Sequence, residues 1–310
     1  MPHLRPTALL SLAALVLTVA HARAADPLRF VPKEASAVVH VDVAGALAQT
    51  LVKVTRRELL DLAGATRAVQ DLKRDVGLDV FTGLASVTFA GTDKAARKSD
   101  ESLIVLGFRG TTPDVTKLAL YYAKRSKTTP RTATHEGYTV HVIGADSWLA
   151  LVEGHALVGD KALVGSALSA LKAGRPALKP ALASALPAAA ARKHAWGAAV
   201  GSADLGGVLG RSDPRLKALR AMAFSLDLAR GLELDVAATF PDAAGAEAMR
   251  AEIMRDLRNI AAEQDVKDLG LDAVIGGLTA SASGPVLKFR AAITGALATK
   301  LTDALKSLLQ

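Results

Sequence analysis

Five histidines lie beyond residue 24: His40, His135, His141, His155 and His194. His40 and Asp42 stand two apart in an alternating apolar run, so a strand would carry both on one face. His141 and His155 fall in two further alternating segments that could pair as neighbours. Brought together, His40, Asp42 and His141 would supply an imidazole base, a carboxylate to orient it and a second imidazole, enough for a hydrolase. The same groups could ligate a metal. The plainer expectation is histidines on half-exposed strands, and we assign no catalytic, cofactor-binding or metal residue.

Other constellations are poorer in chemistry. Asp75-x-Gly77-Leu78-Asp79 resembles part of a calcium loop, but it lacks the alternating oxygen ligands and the closing glutamate. A mechanical reading suffices: Gly77 ends a helix in the left-handed conformation, Leu78 packs back on its last turn, and Asp79 caps the next element. Ser169-Ala-Leu-Lys172 matches Ser-x-x-Lys without the companion motifs that make that pair an active site. Gly-x-Ser-x-Gly, the Walker loop, Gly-x-Gly-x-x-Gly and His-Glu-x-x-His do not occur. With no cysteine in the chain, disulfide scaffolds, zinc ribbons and thiol enzymes are excluded.

Lys124, Arg125, Lys127 and Arg131 form the densest basic run, close to Tyr121 and Tyr122. Cations gather at a helix C-terminus because the dipole favours them there, and only 4% of the residues are aromatic, which argues against nucleic acid as a partner. Lys94, Arg97 and Lys98 read the same way, as a solvated loop tip. Trp148 and Trp196 are expected to pack within sheets.

The elements that must position these residues begin after a leader. His3 and Arg5 precede an uncharged apolar run, Thr7 to Ala20, and Ala22-Arg23-Ala24 ends it with small residues at a cleavage site. The run is too short to span a bilayer, so residues 1–24 are expected to be a cleaved signal peptide, with Ala25 as the mature start and no transmembrane span afterwards. Secretion without cysteine leaves packing alone to hold the fold. The 310-residue chain is 50% hydrophobic, which suits globular structure, and its net charge of +8 fits either simple solvation or contact with anionic envelope surfaces.

Strands are predicted at 36–44, 84–90, 103–109, 138–143, 147–152, 155–158, 195–202, 222–228, 232–240, 279–283 and 286–293. Helices are predicted at 47–75 with a break near Gly64, then 113–125, 161–173, 214–220, 242–264 and 296–309. Thr111 or Thr112 is expected to cap the helix that Pro113 opens. The longest helix places Met249, Ile253, Leu257 and Ile260 on one apolar stripe. Pro176, Pro180 and Pro187 in an alanine-rich stretch mark a connector. The expected organisation is an N-terminal unit over 25–175, a connector over 176–193 and a C-terminal unit over 194–310.

A fixed shift of 193 residues lays Asp42-Val43-Ala44 on Asp235-Val236-Ala237, and the Asp75 to Asp79 box on Asp268 to Asp272. This predicts a duplicated unit. A competing shift of 128 lays Thr111-x-Pro113-Asp114 on Thr239-x-Pro241-Asp242, which we read as a shared way of starting a helix.

Phe30-Val31-Pro32-Lys33-Glu34-Ala35 leads into the strand through Val41-Asp42-Val43, and a Gly-Leu-Asp box precedes Phe89-Ala90-Gly91. In these features the chain resembles exported bacterial proteins of unknown function built from repeated α+β units. That resemblance implies an envelope location and carries no catalytic residue with it. The expected fold class is α+β: two related βαββα-containing units whose antiparallel sheets are covered on one face by helices. The expected role is that of an exported, periplasmic or secreted, noncatalytic binding or scaffold protein of the bacterial envelope, with no cofactor and an unidentified envelope component as partner. The alternatives are an envelope hydrolase built from scattered His and Asp residues, and a carrier of a lipid-like apolar ligand.

Overall fold

The structure is a computed structural model and describes residues 27–49, 52, 66–92, 101–174, 178–186, 193–201, 218–268 and 271–300. The expected leader, the loop tip at Lys94 to Lys98, residues 214–217 of the expected short helix and most of the helix before Gly64 lie outside them. Helices and antiparallel strands are both abundant, which makes the fold α+β. The chain divides into two compact units, Met1–Ala48 with Leu59–Ala183, and Gln49–Glu58 with Ser184–Gln310. The division falls inside the expected connector. Gln49 differs from expectation in joining the second unit, where its side-chain amide reaches His194 Nε2 at 3.3 Å.

In the first unit the strands are β1 (Ala37–Asp42), β2 (Leu84–Gly91), β3 (Ser102–Phe108), β4 (Arg131–His135), β5 (Tyr138–Val142), β6 (Ser147–Val152) and β7 (His155–Asp160). They pair in the order β1-β2-β3-β7-β6-β5-β4, each antiparallel to its neighbour. The helices are α1 (Val43–Ala46), α2 (Thr66–Val76), α3 (Val80–Gly83), α4 (Val115–Ser126) and α5 (Lys161–Lys172), and the division falls within α6 (Pro180–Ala185). Helix α4 packs on β6, and α5 on β6 and β7, where Leu118, Ala119, Leu163, Val164, Ala167 and Leu168 are buried.

Aspartates start most of these helices. Asp114 accepts from Thr116 N at 2.8 Å, so the residue after Pro113 caps α4, in place of Thr111 or Thr112. Its carboxylate reaches the orphan amides of the first turn from a short, already charged stem. Asp160 caps α5 and Asp79 caps α3 in the same way. Gly77, at φ +80°, closes α2, with Leu78 N bonded back to Leu72 O and the Leu78 side chain buried. Only a residue without Cβ takes that turn cheaply.

In the second unit β8 (Ala195–Val200), β9 (Ala221–Asp227), β10 (Gly231–Thr239), β11 (Leu278–Ser283) and β12 (Val286–Thr294) pair in the order β8-β9-β10-β12-β11. Helix α7 (Ala243–Ala262) is followed by α8 (Gln264–Asp268) and α9 (Asp272–Gly276). The core joins Ala246 and Met249 of α7 to Leu219, Ala238, Phe240 and Leu287, with Ile253 packed against it. The apolar stripe is buried only in its first half, because Ile260 is 43% exposed.

The pairing overturns the shift of 193. Asp42 ends β1 and caps α1 through a 2.8 Å bond from Gly45 N, whereas Asp235 sits inside β10 with its carboxylate outside, 3.7 Å from Arg290. Moreover β1 pairs with β2, but β10 pairs with β12 and not with β11, the strand that the shift lays on β2. The shift of 128 fares differently. Asp114 and Asp242 cap α4 and α7, and these helices follow β3 and β10, each the third strand of its unit in sheet order. Alternating composition made the longer shift look good, but strand order distinguishes them.

Candidate functional site

The structure keeps apart His40, Asp42 and His141, the three groups of the hydrolase alternative. His40 Nδ1 lies 2.8 Å from Thr88 Oγ1, its cross-strand partner, and only 6% of the residue is exposed. Asp42 is engaged as the α1 cap. His141 is on β5, five positions from β1 in sheet order, or about 24 Å at the usual strand spacing. The registers also put it on the opposite face: the row of His40 runs through Thr88, Val105, Leu157, Ala150 and Val140, one residue off His141. Side chains of adjacent strand residues diverge, so no sliding along the sheet unites these groups.

His40 has a structural role with a pH signature. Burial pushes its imidazole down to about 4. An unfolded histidine binds its proton near 6.5, so the unfolded state gains protons between pH 6.5 and 4 while the folded state stays neutral there. The stability held above pH 6.5 is therefore lost as pH falls towards 4, to a total of about 3 kcal/mol. Urea unfolding at neutral and acid pH checks this: the wild-type loss should exceed that of His40→Gln by most of that amount. Equal losses would mean that His40 is solvated.

One row of the sheet does bring together Asp42 and His155, which the sequence singled out separately, with Ser86, which it did not. Asp42, Ser86, Gly107 and His155 are successive cross-strand partners on β1, β2, β3 and β7. Gly107 has no side chain, and the space of its absent Cβ is taken by Ser86 Oγ and the His155 ring, 2.5 and 3.3 Å away. His155 donates through Nδ1 to Glu153 O at 2.9 Å, its ring packs on Phe30 at 4.5 Å, and burial lowers its affinity for a proton. Ser86 is only 5% exposed and Gly107 is buried, so the middle of this row is packed interior and not an open site.

Two clefts of the first unit open to solvent. One of about 450 Å³ is lined by His135, Trp148, Asp146, Asp160, Lys161 and Ser166, among others. His135 packs edge-on to Trp148 at 5.2 Å, and Lys161 Nζ lies 5.4 Å from the indole centre, so most of the ring is already covered. Ser166 donates to Glu34 at 2.7 Å.

The other cleft, about 740 Å³, lies between α2 and α4. Thr66, Arg67, Gln70, Asp71, Arg74 and Asp75 line it from α2, and Tyr121, Lys124 and Arg125 from α4. Asp71, only 16% exposed, takes Arg74 at 2.9 Å on one oxygen and Arg125 at 2.8 Å on the other. Arg125 also stacks 4.4 Å from the centre of the Tyr121 ring and donates to its hydroxyl. Arg74 grips Asp75 through two bonds of 2.6 and 3.0 Å, and the hydrogen bond from Arg74 holds the Asp75 carboxyl below its usual range. Two guanidiniums are thus fixed, with their carboxylates at the floor and their outer edges in solvent.

In the sequence Lys124 and Arg125 stand out only as helix-end cations, in one run with Lys127 and Arg131. The structure splits the run: Lys127 ends α4 at φ 53° and Arg131 opens β4, while Lys124 and Arg125 face the cleft. Their partners on α2 stand some fifty residues earlier, beyond the reach of any local pattern. Among the described residues no cluster of three metal-ligating side chains occurs, and no helix is long and apolar enough to cross a membrane.

No family model matches the chain, and no curated protein matches it either. Among solved structures it is similar to crystal form I of TP0453 over 92% of this chain and 98% of that one, at 14% identity and a TM-score of 0.45. So low a score carries no argument about what this chain does.

Proposed function

We propose that the chain is an exported, noncatalytic binding or scaffold protein of the bacterial envelope, and that its binding surface is the cleft between α2 and α4. The observation that carries this reading is the cleft itself, where Arg67, Arg74, Lys124 and Arg125 outnumber Asp71 and Asp75. The apolar leader at 1–24 and the resemblance to exported proteins with repeated α+β units support the location. A basic balance over the whole chain adds long-range attraction for anionic envelope components. We further propose that the two units are versions of one plan, βββαββ, the first enlarged by the hairpin of β4 and β5. Their common strand order and the aspartate caps of α4 and α7 support that kinship.

The test joins location to binding. The chain is expressed with its leader, the exported fraction is weighed intact, and the protein is used to capture components of native envelope extract. The expected result is a mass beginning at Ala25 and an envelope component that wild type retains but Arg67→Glu/Lys124→Glu does not. Material recovered only from the cytosol with residues 1–24 attached would refute export, and identical capture by the variant would refute the cleft.

A further inference from the structure

We infer that the α2–α4 cleft is a receptor for a phosphoryl group borne by an envelope molecule. This rests on the reading of the cleft as the binding surface and names the chemistry it takes. A guanidinium has five N–H donors in a fixed fork. Arg74 spends three, on the two oxygens of Asp75 and on Asp71, and Arg125 spends two, on Asp71 and the Tyr121 hydroxyl. Among the described residues no acceptor is assigned to the other donors, and both side chains are well exposed, at 66% and 43%.

Fixing matters as much as charge. A flexible surface arginine loses side-chain entropy when it grips a ligand, but these two are already held by Asp71, Asp75 and the Tyr121 ring. Guanidinium forks match the geometry of phosphate oxygens, and two such forks share the single Asp71 carboxylate. Arg67 and Lys124 stand on the walls and leave the cleft two cations in excess of its carboxylates. A phosphate monoester, with close to two negative charges at neutral pH, balances that excess, whereas a lone carboxylate leaves half of it. The volume of about 740 Å³ holds a phosphoryl group with part of its carrier.

Phosphoryl groups reach an envelope protein as soluble esters or as lipid headgroups, and the experiment distinguishes the two. Calorimetry with pyrophosphate is run on residues 25–310, on Arg67→Glu/Lys124→Glu, and on Arg258→Glu/Lys288→Glu, which reverses two charges of the second unit. The expected result is saturable wild-type binding, weakened about tenfold or more in the cleft variant and kept in the other. Flotation with vesicles of phosphatidylcholine, with and without phosphatidic acid, then assigns the source. Retention on phosphatidic acid vesicles that pyrophosphate competes away indicates a headgroup, and no retention indicates a soluble ester. Absence of pyrophosphate binding by wild type, or equal loss in both variants, overturns the inference. If cleft-dependent capture from extract still succeeds, only the phosphoryl assignment falls; if capture also fails, the binding reading falls with it. Thermal melting of each variant checks that it is folded.

Discussion

Gly159→Ala is expected to destabilise the first unit by about 3–6 kcal/mol, through backbone strain and overpacking together. Gly159 lies on β7 between Leu103 of β3 and Trp148 of β6, at φ +155°. A Cβ there would stand 2.1 Å from the Ser102 carbonyl oxygen and 2.9 Å from the Leu103 Cα. Both obstacles are backbone, so no rotamer change relieves them. Set against a typical unfolding free energy of about 5–15 kcal/mol, the loss would remove a large share of the native stability. Urea denaturation of the variant checks it, and an unchanged midpoint would mean that β3 and β7 do not approach so closely.

Leu118→Ala should cost about 3–5 kcal/mol, the range for a fully buried leucine whose neighbours cannot collapse into the gap. Leu118 is wholly buried on the inner face of α4, one turn before Tyr121. Its loss loosens the helix that aims Lys124 and Arg125. Two measurements check this: a fall in the unfolding midpoint, and faster amide exchange along Val115–Ser126. Wild-type exchange in α4 alongside reduced global stability would show that the helix is held from elsewhere.

Much of the fold was legible because burial writes itself into alternation. The apolar alternation of Val39, Val41 and Val43 around His40 and Asp42, and that of Leu232, Leu234 and Val236, marks half-buried strands whichever neighbours they acquire. Strand β4 escaped because Arg131-Thr132-Ala133-Thr134 is exposed along its length, and an edge strand with little to bury has no apolar pattern. Strand order was illegible for another reason. Identity between Asp42-Val43-Ala44 and Asp235-Val236-Ala237 says nothing about which neighbour each strand takes, and there the two segments differ. The cleft was half legible: two of its cations, Lys124 and Arg125, were conspicuous, but Asp71 became the partner of Arg125 only through a long-range helix contact.

That one carboxylate has a consequence of its own. Asp71 is the hinge pin between two helices as well as the counterion of two arginines, so charge and spacing at α2 and α4 form a single variable. A guest that draws Arg125 outward weakens the pin, and a substitution that tightens the pin discourages the guest. Occupancy and helix separation are then thermodynamically linked, each reporting on the other with the same coupling energy.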